Sequence, residues 1–182
     1  MTLFINCCPR SESRTRRLAG RVLDKLGEYE EVELEKERLS PLDRERLERR
    51  TALIERNDFS DGMFGYAKQF AAADTIVIAA PYWDLSFPAA LKIYIENIYV
   101  TGIVSKYGED GRPVGLCRAE KLYYVTTAGG PYDPRYSFGY IKDMAENFFG
   151  IGKAELIYAE MLDIIGNDPE RILSECGRKY GI

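Results

Sequence analysis

Histidine is absent from this 182-residue chain. That removes Ser-His and Cys-His catalytic pairs, imidazole metal ligands and a histidine acid or base. Cysteine is scarce: Cys7 and Cys8 adjoin, and Cys117 and Cys176 lie far away with no CxxC spacing. Such a set does not close a zinc site, and a disulfide between chain neighbours is strained. No single sign of charge dominates, since 25 basic and 29 acidic residues are interspersed for a net charge of −4. That balance gives no argument for nucleic acid as a partner. No apolar run approaches the ~20 residues that span a bilayer. The start, "MTLFINCC", lacks a basic leader, so a cytoplasmic protein with reduced thiols is expected. Internal repeats, low-complexity segments, GxGxxG and GxxxxGK[ST] are missing too, which excludes a dinucleotide fingerprint and a Walker loop.

What is present is an ordinary globular balance, 46% hydrophobic and 30% charged, with thirteen tyrosines and one tryptophan. The length suits one domain over residues 1–182 with a single buried core. "TLFIN" (2–6) is short, apolar and β-prone, and "RTRRLAGRVLDKLG" sets Leu18, Val22, Leu23 and Leu26 at helical spacing. "EVELE" alternates like a strand. Residues 39–57 are dense in mixed charge and predict a surface helix with Ser40 as cap and Pro41 in its first turn. "MFGYAKQFAAAD" predicts a more apolar helix. "TIVIAAP" (75–81) is uninterrupted and β-branched, as in a central parallel strand buried on both faces. Pro88 opens a helix running to Gly102 with two apolar stripes, Leu91-Ile95-Ile98 and Ile93-Tyr94-Asn97-Val100. One stripe covers the sheet. The other covers a partner subunit or belongs to a tyrosine-rich core. Asp110-Gly111 marks a hairpin excursion over 103–118. "KLYYVTT", a helix near 137–149, "KAELIYAE" and a helix opened by Asp168-Pro169 complete the chain.

This alternation predicts an α/β fold, a five-stranded parallel sheet with helices on both faces. Ligands of such sheets bind outside the carboxyl ends of the strands, where strand order reverses. Three irregular loops, 7–15, 81–87 and 127–135, follow strand ends and are expected to meet there. The first offers Arg10, Ser11, Ser13 and Thr15 at a helix start, which suits a phosphate or, more plainly, an N-cap. The second, "PYWDLSF", offers aromatics to a planar ring or seals the sheet end. The third has Gly129-Gly130, whose amides can approach a ligand closely or merely turn the chain. Together a phosphate seat, an aromatic wall and an amide loop describe a flavin mononucleotide (FMN) site.

"CCPRSESRT" resembles the GSPRxxSxT phosphate loop of flavodoxin-like NAD(P)H-dependent FMN reductases. "PYWDLSFPAALKIYIENI" resembles the P-M-Y-N-F-x-x-P-x-x-L-K-x-Y-x-D segment of FMN-dependent azoreductases and related quinone reductases. "GIVSKYGEDGRPVGL" and "TTAGGPY" are similar to the excursion and the TSRGG loop of the same family. The resemblance implies FMN, NADH or NADPH as hydride donor, a quinone or azo acceptor, ping-pong hydride transfer and a homodimer. It places Cys8, Arg10, Ser11, Ser13 and Thr15 at the phosphate. Pro81, Tyr82, Trp83, Asp84 and Leu85 border the flavin ring, and Thr127, Ala128, Gly129 and Gly130 lie at its carbonyl side. Tyr82, Asp84 and Tyr132 are the candidate proton donors or substrate orienters. Cys7-Cys8, Asp84, Ser105 and Ala128 depart from the family pattern. The rival readings are a flavodoxin-type electron carrier, which binds FMN without oxidising NAD(P)H, and a flavin-free relative acting in protein interaction.

Overall fold

The computed structural model describes residues 1–182. Strand β1 (Thr2–Asn6) leads into helix α1 (Arg14–Leu26), strand β2 (Tyr29–Glu33) and helix α2 (Arg44–Glu55). Helix α3 (Gly65–Ala72), entered through a 3-10 turn at Gly62–Phe64, strand β3 (Thr75–Ala79) and helix α4 (Ala89–Ile98) follow. The hairpin is β4 (Ser105–Tyr107) with β5 (Pro113–Gly115). Strand β6 (Lys121–Thr127), helix α5 (Phe138–Asp143), strand β7 (Lys153–Ala159) and helix α6 (Pro169–Tyr180) close the chain.

Five strands form one parallel sheet in the order β2-β1-β3-β6-β7, and β4-β5 stands apart as an antiparallel pair. The expected fold class and the hairpin outside the sheet are both found. Strand β3 is central and its Ile76, Val77, Ile78 and Ala79 are buried. Each of the Ile and Val side chains taken from water contributes about 1.5–3 kcal/mol. Alternation divides the core between two layers. Leu3, Ile5 and Cys7 pack with α3, α4 and α5, whereas Phe4 and Cys8 pack with α1 and α6.

Several local expectations shift. Strand β2 runs Tyr29–Glu33 rather than 31–35, because its register follows β1, with Thr2 opposite Tyr29 and Asn6 opposite Glu33. Asp43, not Ser40, caps α2, its carboxylate accepting from Arg46 N at 2.9 Å. The Ser40 carbonyl instead accepts from the Asn97 side chain. Helix α4 stops at Ile98 instead of Gly102. The helix expected over 137–149 is a 3-10 turn (Pro134–Tyr136), then α5, then a π-helical segment (Met144–Phe149) ending at left-handed Gly150. There the hairpin docks backbone to backbone: a Cβ on Gly115 would stand 2.0 Å from the Gly150 nitrogen.

The second stripe of α4 does not face outward. Tyr94 is 0% exposed, Asn97 and Val100 are buried, and only Ile93 is half-buried. The Tyr94 ring packs edge-on against Tyr66 and Phe70, at 6.0 and 6.5 Å. The stripe is therefore a tyrosine-containing core. Burial also leaves the Tyr94 hydroxyl unpaired. An unpaired buried hydroxyl costs free energy, so Tyr94→Phe is expected to raise stability by about 1 kcal/mol in urea unfolding. A loss of that size would show instead that the hydroxyl has a partner.

Candidate functional site

The ladder of the sheet does not stop where the strands do. Cys7 N donates to Ala79 O at 2.9 Å, Ala80 N to Val125 O at 3.0 Å, Tyr82 N to Thr127 O at 3.1 Å and Ala128 N to Ala159 O at 2.9 Å. These bonds carry the parallel pairing into the loops and fix their starting points on one sheet end. The loops meet around a cleft of about 400 Å³ lined by residues 9–15 (except Ser11), 81–83, 127–129, Leu162 and Asp163. That size falls within the usual range for small-molecule sites.

The floor of the cleft is the start of α1. Ser13 caps the helix, its hydroxyl oxygen accepting from Arg16 N at 3.2 Å. The plain N-cap reading is thus realised, and the hydroxyl keeps its proton to donate, with the Cys8 sulfur as one neighbour. Thr15 is 1% exposed, and its Oγ1 lies 2.6 Å from Thr127 Oγ1, which ties the first helical turn to the end of β6. The amides of Arg14 and Thr15 have no partner in the protein. Unpaired first-turn N–H groups, with the partial positive charge of the helix end, are suited to an anion. Arg10 lines the same cleft and is exposed. On the far side, the amides of Gly129 and Gly130 are also without a protein partner, although Gly130 itself is set back from the lining.

The wall is Pro81, Tyr82 and Trp83. Trp83 and Ser86 exchange backbone hydrogen bonds at 2.9 and 2.8 Å, closing a two-residue turn. Asp84 (φ 48°) and Leu85 (φ 67°) occupy its left-handed corners, the geometry of a type I′ turn. Both side chains are exposed, Leu85 by 60%, and neither lines the cleft. The expected border therefore ends at Trp83. Ser11 is exposed and off the lining, and Cys8 is buried beneath it. Tyr132 is not on the lining either. It stands behind Tyr82, ring centroids 4.8 Å apart and nearly perpendicular, with its hydroxyl on Ser137 Oγ at 2.9 Å. Burial raises the Tyr132 pKa, and the bond from Ser137 opposes that rise. The Tyr82 hydroxyl is buried and unpaired.

Sequence reasoning missed a fourth loop. After β7, Met161 N, Leu162 N and Asp163 N donate to the carbonyls of Gly130, Ala128 and Gly129. Asp163 also takes an ion pair from Arg14 at 2.6 Å across the cleft, and Glu160 accepts from Tyr132 N at 2.7 Å. A signal was available: β7 is parallel to β6, so the segment after it must emerge at the same end.

Cys7 and Cys8 point into opposite core layers, which excludes a bond between them. Burial is the main cause of both thiol shifts, Cys7 to about 12 and Cys8 to about 11. Burial likewise raises Cys117 and Cys176. A raised pKa keeps each thiol protonated and unreactive at neutral pH. Ellman's reagent at pH 8 should therefore react slowly with the native protein and rapidly with four thiols after denaturation; fast native labelling of Cys7 or Cys8 would contradict the assignment. A left-handed leucine costs roughly 1 kcal/mol. Leu85→Gly is accordingly expected to stabilise the chain by a few tenths to about 1 kcal/mol in thermal unfolding, and destabilisation would contradict the turn.

A family model described as a flavodoxin-like fold matches residues 1–181. The chain is similar to the FMN-dependent NADH:quinone oxidoreductase of Coprothermobacter proteolyticus, 35% identical over 187 residues, covering 95% of this chain and 92% of that protein. It is similar to the FMN-dependent NADH:quinone oxidoreductase 2 of Clostridium acetobutylicum at 48% identity over 114 residues, 59% of this chain. That match spans 56% of the relative, so the likeness covers about half of its length. Among solved structures, an FMN-dependent NADH-azoreductase from Bacillus anthracis str. Ames Ancestor in complex with FMN superposes with a TM-score of 0.79 at 25% identity, covering 98% of this chain and 94% of that one. An azoreductase from Bacillus anthracis str. Sterne shares the fold, with a TM-score of 0.81 at 23% identity over 98% and 95% of the two chains.

Proposed function

The chain belongs to the flavodoxin-like fold family, and from that premise we propose that it is an FMN-dependent NADH:acceptor oxidoreductase acting on quinones or azo compounds, with residues 1–182 as one flavin-binding unit. The observation that carries this reading is the pairing of two sets of unpartnered amides, at Arg14-Thr15 and Gly129-Gly130, around one cleft walled by Tyr82 and Trp83. The relatives' names and the FMN-bound azoreductase support the choice of cofactor and donor.

The residues present fit FMN. The α1 amides, Thr15, the Ser13 hydroxyl and Arg10 would hold its phosphate through charge-assisted hydrogen bonds. Tyr82 and Trp83 would border the ring, and the Gly129-Gly130 amides would face its carbonyl side. Bound FMN supplies hydride uptake from NADH and delivery to the acceptor, chemistry that requires no protein nucleophile and no histidine. Tyr82 is the chain's own orienter of the acceptor: its ring lines the cleft, while its unpaired hydroxyl is buried behind the wall. Asp84 serves the turn rather than the chemistry, its carboxylate lying outside the cleft. Tyr132 acts from behind.

The homodimer and the cytoplasm belong to the same proposal. Trp83 and Leu85 are exposed, as is Tyr136, which lines a groove with Phe87 and Tyr140 flanked by Lys92, Arg135 and Asp143, a mixed face that suits a second copy. No helix is long and apolar enough to cross a membrane, and four free cysteines suit a reducing compartment.

Mixing FMN-loaded protein with NADH under anaerobic conditions tests the reading. The visible flavin absorbance is expected to bleach promptly and to return when a benzoquinone is added. A bound flavin that NADH leaves oxidised would favour the electron carrier instead, and a protein that takes up no FMN would favour the flavin-free relative.

A further inference from the structure

Ser137 occupies the N-cap position of α5, where a serine hydroxyl ordinarily accepts from the first-turn amides. Here it makes no cap bond. The side chain is 0% exposed, and its hydroxyl bonds the Tyr132 hydroxyl at 2.9 Å. Tyr132 is clamped on three further sides. Its ring meets Tyr82 edge-on at 4.8 Å and Tyr158 at 5.1 Å, and its amide is held by Glu160. Beneath it, the Tyr124 hydroxyl approaches both Ser137 and Thr126, whose hydroxyls oppose the rise that burial gives its pKa. Ser137 thus leaves a helix end uncapped, its hydroxyl set between the Tyr132 and Tyr124 phenols with its well-formed bond to Tyr132. The Tyr82 loop is separately tied to this region by Ser86 Oγ, which donates to Tyr136 O at 2.7 Å. The Tyr82 ring thus sits between the cleft and a phenol whose orientation Ser137 sets.

We propose that Ser137 is a positioning residue for acceptor reduction, acting through Tyr132 to hold the Tyr82 ring at the cleft. This rests on the reading of the Tyr82 ring as the wall that orients the acceptor. The forfeited cap is the cost of the arrangement. Its benefit is a Tyr82 ring held to the wall by an edge-on contact with a tyrosine that Ser137 ties down. The bond also pairs two hydroxyls that burial would otherwise penalise. A purely structural tie would serve stability alone; a positioning tie also governs the acceptor step.

The test compares Ser137→Ala, Tyr132→Phe and the double variant, with Ser137→Thr as rescue. Reoxidation of NADH-reduced protein by benzoquinone is expected to slow about ten-fold in each single variant and by the same factor in the double, since the pair acts as a unit. Reduction by NADH is expected to stay within about two-fold of the parent, and Ser137→Thr to recover most of the loss. Trp83, the chain's only tryptophan and the neighbour of Tyr82, gives a second readout that needs no flavin. Its emission in the apoprotein is expected to shift alike in both single variants and no further in the double. Multiplicative losses, equal slowing of both half-reactions, or unchanged Trp83 emission would each overturn the proposal. Should Ser137→Ala not fold, Tyr132→Phe keeps the ring and reads the same pair. Should the protein take up no FMN, the functional reading fails, while Trp83 emission still decides whether Ser137 positions the Tyr82 loop.

Discussion

Everything at this site depends on parallel backbone pairing that continues past the strands. A strand end alone would leave its loop free to wander. Here the donations from Cys7, Ala80, Tyr82 and Ala128 to carbonyls one strand over pin each loop at its first residues. Three segments, and a fourth zipped on through Met161, Leu162 and Asp163, are thereby held to a common end of the sheet. The proposed anion seat combines the Arg14 and Thr15 amides with the side chains of Arg10, Ser13 and Thr15, and the loop opposite offers amides alone. Main-chain pinning explains how Cys7 and Cys8 can stand where the resembled family has a small Gly-Ser pair: the position is read by packing into two core layers, not by thiol chemistry.

The fold was largely legible because its strongest signals are local. "KLYYVTT" is β6 residue for residue, and "TIVIA" is β3, since uninterrupted β-branched runs have few other uses in a parallel sheet. The Asp110-Gly111 pair marked the hairpin for a similar reason. Signals that depend on a partner element were not legible. "EVELE" alternates convincingly, yet β2 lies two residues earlier because pairing with β1 decides. The Ile93-Tyr94-Asn97-Val100 stripe reads equally well as interface or core, and only the presence of Tyr66 and Phe70 beside Tyr94 settles it as core.

The site was legible as three loops and not as contacts. Ser13, Thr15, Tyr82, Trp83 and Gly129 line one cleft. Asp84, Leu85 and Tyr132 lie off that lining, each for a geometrical reason. A type I′ turn points the first two outward, and the edge-on pair of tyrosines puts Tyr132 behind Tyr82 rather than beside it. Arg14 and Asp163 could not be paired from sequence at all, because 149 residues separate them and only the β6-β7 neighbourhood joins them. Their ion pair crosses the mouth of the cleft, so a dianion arriving at α1 would compete with Asp163 for the Arg14 guanidinium.

The central claim is that the amino end of α1 receives a phosphate. Parallel titrations of the apoprotein with FMN and with riboflavin, which lacks that group, test it most directly. Several charge-assisted bonds to one phosphate correspond to at least about 3 kcal/mol, so FMN should bind roughly 100-fold more tightly, at one per chain. Equal affinity for the two flavins would contradict the account.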